Sequence, residues 1–225
     1  MTSDVRKVID GRSFFCSWSG GKDSCLALYN AIKNGGKPRA LFTMLAEDGK
    51  TSRSHGLPKP LIEKQAESLG IQPVFRSASW QEYESQFILA LEEFKKNGIE
   101  VGVFGDIDIE EHLAWVRRVC EIVGIQPVHP LWKRDRRELL DKFIGSGFAA
   151  RIVVVNENKL DKRFLGKAID ARAIPEMEQA GIDPCGELGE YHTVVTDGPI
   201  FSSKVEVKQA GQEYHDGYWF LRMDI

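Results

Sequence analysis

Across residues 13–129, short apolar runs take turns with longer stretches whose apolar positions recur every three or four residues. The runs at 13–17, 40–46, 74–77, 101–105 and 126–129 predict strands, since each is short and bounded by turn-forming residues. After Ser24, the positions Cys25, Leu28, Tyr29 and Ile32 share one helical face, and Gly35-Gly36 supplies the stop. Helices are predicted in the same way at 60–69, at 82–97 with the stripe Tyr83, Phe87, Leu91 and Phe94, and at 110–123 with Leu113, Val116, Cys120 and Val123. Strands separated by helices predict a five-stranded parallel sheet covered on both faces, a Rossmann-like α/β fold.

The rhythm changes after Pro130. A helix is predicted at 134–146, followed by a β-rich run at 152–155, a charged stretch at 156–162 and a further segment at 165–180. Three strand candidates follow at 193–196, 205–209 and 218–223, separated by turn formers such as Asp197-Gly198-Pro199 and Asp216-Gly217. That pattern predicts a smaller α+β domain built on an antiparallel sheet. The boundary is placed within 131–148 and drawn as 1–135 for the first domain and 136–225 for the second. No internal repeat or long linker separates them.

Composition narrows the function. Hydrophobic residues make up 42% and charged residues 28%, which suits a folded globular chain. The formal net charge of -3 provides no global positive field, so nucleic acid is not an expected partner. Apolar runs stay far below the roughly 18–20 residues that cross a bilayer, and the start M-T-S-D lacks an apolar signal region, so a soluble cytoplasmic chain is expected. Cysteines at 16, 25, 120 and 185 form no C-x-x-C pair, which fits neither a zinc ribbon nor a disulfide framework.

The chemistry concentrates in Ser19-Gly20-Gly21-Lys22-Asp23-Ser24, between the first predicted strand and helix. In an open parallel sheet, that turn is the usual phosphate cradle. Gly20 and Gly21 let backbone amides approach an anion, and the helix start adds its partial positive charge. Lys22 supplies a full charge, while the Ser19 and Ser24 hydroxyls can donate to phosphate or cap the helix. Asp23 is either a magnesium ligand, since a carboxylate beside phosphates needs a cation between them, or a first-turn acid favouring the helix dipole. The Walker pattern does not apply, because Asp follows Lys22 and Cys16 stands where its first glycine would be. The plain alternative is a glycine-rich turn with a surface lysine.

The string S-G-G-K-D-S resembles the pyrophosphate loop of the N-type ATP pyrophosphatases, of the adenine nucleotide alpha hydrolase-like fold. The stretch G-I-D-P-C-G-E-L-G-E-Y-H-T at 181–193, with D-G-P-I-F at 197–201, resembles the signature of the diphthine ammonia ligase family. P-L-W at 130–132 and G-F-A-A at 147–150 are also similar to that family, so the resemblance spans roughly 14–201. It implies an ATP-dependent amide-forming ligase that adenylates a carboxylate, diphthine on translation elongation factor 2, and passes it to ammonia with release of AMP and pyrophosphate. ATP and Mg2+ are the implied cofactors, and a homodimer is compatible with the reading. The alternatives are a related ligase or thiolase acting on RNA or a small-molecule carboxylate, and a nucleotide-binding module without turnover.

Glu187, Glu190 and His192 form the second candidate set: two carboxylates and an imidazole among glycines can bind ammonium, hold magnesium or take a proton from ammonia. A polar turn entering a strand is the alternative. Gly105 and Asp106, at the end of the fourth predicted strand, lie where such sheets present ligand-binding residues, with a helix cap as the other reading of Asp106. In similar folds the adenine takes backbone contacts along the second strand, which implies Thr43 and Met44. His55 either borders the nucleotide or is simply exposed. Cys25 and Cys185 raise a sulfur-carrying role against plain packing.

Overall fold

The computed structural model describes residues 2–225; Met1 lies outside them. The chain forms two compact units. The first comprises the stretch ending at Ser19, Asp23–Arg53 and Ile71–Lys133. The second comprises Gly20–Lys22, Ser54–Gly70 and Arg134–Ile225.

In the first unit, β1 (Ser13–Ser17), β2 (Lys37–Leu45), β3 (Gln72–Ser77), β4 (Val101–Val103) and β5 (Gln126–Val128) form the expected all-parallel sheet, in the order β3-β2-β1-β4-β5. The central β1 has β2 on one side and β4 on the other, so strand order reverses between β1 and β4, the switch point beyond whose carboxyl ends open parallel sheets generally bind ligands. Four helices belong to this half of the chain: α1 (Thr2–Ile9), α2 (Lys22–Lys33), α4 (Tyr83–Lys96) and α5 (Glu110–Val123). Phe15 of β1 stacks on Phe94 of α4 at 4.5 Å between ring centroids, and Phe42 of β2 meets Phe87 at 5.1 Å. The predicted α4 stripe is therefore core. α1 was not expected from the sequence.

The second unit holds α3 (Lys59–Leu69), the crossover from β2 to β3, together with α6 (Arg136–Gly145), β6 (Ala149–Asn156), α7 (Ala173–Gln179), β7 (Tyr191–Asp197), β8 (Lys208–His215) and β9 (Tyr218–Asp224). Its sheet is antiparallel, ordered β7-β6-β9-β8. Asp216 and Gly217, both at positive φ, turn β8 into β9, which is the conformation a two-residue hairpin needs. The strand expected at 205–209 lies instead at Lys208–His215. Every residue of β8 is exposed at the sheet edge, so it carries no apolar alternation to read. Helix within 165–180 is limited to α7, preceded by a single 3-10 turn at Lys162–Phe164.

Candidate active site

The loop at residues 19–24 sits at the carboxyl end of β1, and α2 begins at Lys22. Gly20 has φ +81°, a region L side chains rarely enter, and a Cβ there would lie 2.5 Å from Leu57. Lys22 and Ser24 are buried, and the hydroxyls of Ser19 and Ser24 lie 3.1 Å apart. Lys22 Nζ lies 5.6 Å from the centre of the Tyr191 ring. Burying an ammonium costs free energy unless polar or π partners compensate, so so deep a lysine marks a site built for charge.

The loop is fastened from far along the chain. The Lys22 amide donates to Thr193 Oγ1 at 3.0 Å, and the Val195 amide donates to the Gly20 carbonyl at 2.9 Å. Gln65 of α3, fully buried, donates its side-chain amide to both the Gly20 and Val195 carbonyls at 3.0 and 2.7 Å. His55 lies against Gly21, donates Nδ1–H to the Thr193 carbonyl at 2.9 Å, and its ring meets that of His192 at 4.6 Å. That bond leaves Nε2 as the basic nitrogen of a neutral ring. Burial lowers the His55 pKa to about 4, the bond to Thr193 opposes the shift, and the Lys22 charge adds to it. His55, Thr193 and Val195 thus meet the loop residues Gly20–Lys22, and His55 is not the simply exposed histidine of the alternative reading.

Two family models cover almost the whole chain: the diphthamide synthase N-terminal domain matches residues 13–127, and its C-terminal domain matches residues 135–224. The chain belongs to the diphthamide synthase family. It is similar to human diphthine–ammonia ligase, 27% identical over 88% of this chain and 83% of that protein, and to the zebrafish (Danio rerio) diphthine–ammonia ligase, 28% identical over 83% of each. A solved structure described as a predicted subunit of tRNA methyltransferase from Methanocaldococcus jannaschii aligns with 84% of this chain and 98% of its own at 17% identity and a TM-score of 0.45. Membership in the diphthamide synthase family makes the chain an enzyme of the ligase class that uses ATP.

Glu190, buried, accepts the Leu188 amide at 3.0 Å through Oε2, so its carboxylate shapes the turn that leads into β7. Glu187 is half-buried in the same turn, and its amide donates to Asp183 at 3.4 Å. Thr43 donates its hydroxyl to the Trp18 carbonyl at 2.6 Å, and the Met44 carbonyl accepts the Arg53 amide at 3.1 Å. Gly105 packs on the start of α2: a Cβ there would lie 2.9 Å from the Ser24 nitrogen and 3.0 Å from the Asp23 carbonyl carbon.

Asp106 is not a helix cap, since Ile109 takes the N-cap position of α5. Its carboxylate lies 3.5 Å from His112 Nδ1 and 3.5 Å from His129 Nε2. Burial raises its pKa, but the two imidazoles outweigh that and hold it well below the usual carboxylate range. Asp23 is half-buried in the first turn of α2. All four cysteines are buried, and burial pushes the Cys16 and Cys25 thiols above their ordinary range. Gln65, Thr193, His112 and His129 were not among the expected residues. Their partners lie 6 to 171 positions away, beyond any local pattern.

Proposed function

We propose that this chain adenylates a carboxylate with ATP and transfers the acyl group to ammonia, with diphthine on translation elongation factor 2 as the acceptor. The observation that carries the reading is the buried Lys22 at the first turn of α2, beside a double glycine at the carboxyl end of the central strand. Loop amides, the helix start and Lys22 grip the two outer phosphates, which stabilises the charge on departing pyrophosphate and leaves the α phosphorus open to attack. Ser19 and Ser24 donate to the same oxygens, and Asp23 would hold Mg2+, which neutralises phosphate charge when bound. Thr43 and Met44 border the adenine, with Gly105 and Asp106 on the opposite side of β1.

The carboxylate attacks the α phosphorus, pyrophosphate leaves, and the mixed anhydride carries AMP as leaving group. Ammonia then attacks the acyl carbon, AMP departs, and an amide remains. Activation is required because a carboxylate does not acylate ammonia at neutral pH. Glu187, Glu190 and His192 serve this second half, orienting the acceptor and managing its protons. The buried thiols speak against a sulfur-carrying role. The work belongs in the cytoplasm, and no helix among the described residues is long and apolar enough to cross a membrane.

The test is to incubate the protein with ATP, Mg2+, ammonium and elongation factor 2 bearing diphthine, and follow conversion of carboxylate to amide by mass spectrometry. Glu190→Gln should retain ATP binding and slow amide formation. Amide formation at the wild-type rate would remove Glu190 from the mechanism, and stimulation by transfer RNA alone would remove the protein acceptor.

A further inference from the structure

One strand holds Lys22 at both its ends. Thr193 Oγ1 accepts the Lys22 amide at 3.0 Å, and the Tyr191 ring has the Lys22 Nζ over it, 5.6 Å from the ring centre. Tyr191 and Thr193 are two positions apart in β7, so their side chains leave the same face of the strand. The backbone and the ammonium of one lysine are therefore fixed by neighbouring side chains of a single strand.

The ring is itself held in place. Tyr191 is 3% exposed, and its backbone is paired with Val155 of β6. Its hydroxyl donates to the Pro184 carbonyl, and a Cβ on Gly186 would lie 2.8 Å from its Cε1, so the turn before β7 packs directly on the ring. That turn runs on to Glu187 and Glu190. A lysine side chain gives up much rotamer freedom when it is ordered, so a rigid partner matters more to it than to a short side chain. A ring face attracts a cation through its quadrupole while carrying no net charge. It sets where the ammonium stands and keeps it charged, without adding an anion that a phosphate would have to displace. The Lys22 charge is also felt at His55, where it joins burial in holding that imidazole neutral.

We propose that Tyr191 is the positioning residue of the phosphate grip: its ring presents the Lys22 ammonium to the outer phosphates of ATP, and its hydroxyl ties the ring to the turn that carries Glu187 and Glu190. This rests on the role given to Lys22 above. Tyr191 makes and breaks no bond in the reaction, and its effect is confined to nucleotides that carry β and γ phosphates.

AMP separates positioning from a structural role, because it lacks those phosphates. ATP and AMP are each titrated into the full chain with Mg2+ and without acceptor, and the two Kd values are read by calorimetry. Tyr191→Leu removes the π face and should weaken ATP about five- to thirtyfold while AMP stays within about twofold of wild type. Leucine also leaves the Pro184 carbonyl without its donor, so a second series keeps the ring: Tyr191→Phe and its mono-, di- and trifluorinated ring analogues, in which fluorine drains the negative face at nearly constant shape. ATP affinity should fall with each fluorine, AMP affinity should not, and the trend should vanish in a Lys22→Met background. Equal losses with ATP and AMP, or ATP affinity indifferent to fluorination, would overturn the role of Tyr191 and leave the grip by Lys22 standing. Wild-type protein that binds ATP no more tightly than AMP would sink the grip itself, and the proposal with it.

Discussion

Lys22 concentrates the chemistry of the loop in one side chain. Its side chain is buried and its amide is anchored on Thr193, so backbone and charge are held together at the first turn of α2. A charge-assisted hydrogen bond contributes about 1.5–3 kcal/mol, so Lys22→Ala should lower kcat/KM for ATP roughly 10- to 100-fold, measured by pyrophosphate exchange. An unchanged value would remove Lys22 from the phosphate grip. His55 makes a different claim, on stability. Its pKa in the fold is about 4 against an ordinary value of 6.5, so between those limits the unfolded chain binds the proton that the folded chain resists. Its contribution is complete above pH 6.5 and is lost as pH falls toward 4. The urea midpoint of the wild type should therefore drop across that window, and His55→Asn should flatten the upper part of the decline. Parallel curves for the two proteins would contradict this.

Among the elements, the loop and its helix were legible because strand, double glycine, lysine and amphipathic stripe are consecutive. β7 was legible as a strand, but not as the clamp of the loop, because Thr193 and Lys22 are 171 positions apart. α3 was expected from its periodicity, yet nothing in it announces that Gln65 reaches Gly20 and Val195. Asp106 was singled out by its place after a strand, whereas His112 and His129 gather around it only when β4, β5 and α5 come together. β8 was misplaced because both of its faces are exposed, which erases the two-residue period. Thr193→Val tests the clamp. It removes the hydroxyl that accepts the buried Lys22 amide, and should destabilise the fold by about 1–3 kcal/mol in urea unfolding while raising the KM for ATP. Wild-type stability and KM together would show that the clamp is dispensable.

Across the whole chain, the first unit carries the parallel sheet with its switch point, and within the second unit Gln65, His55 and β7 secure Gly20–Lys22. Core packing holds the parallel sheet independently of the chemistry: Phe15 contacts Phe42, Phe94 and Phe104 at once. Phe15→Ala should cost about 3–5 kcal/mol by the lost transfer energy and the cavity left behind, and a cost below about 1 kcal/mol would deny β1 its central place. The central claim is that the loop holds the outer phosphates and exposes the inner one. ATP labelled on the α phosphorus, incubated with Mg2+, ammonium and the diphthine-bearing factor, tests it most directly. The label should appear in AMP, with pyrophosphate released in equal amount; label accumulating in ADP would contradict it.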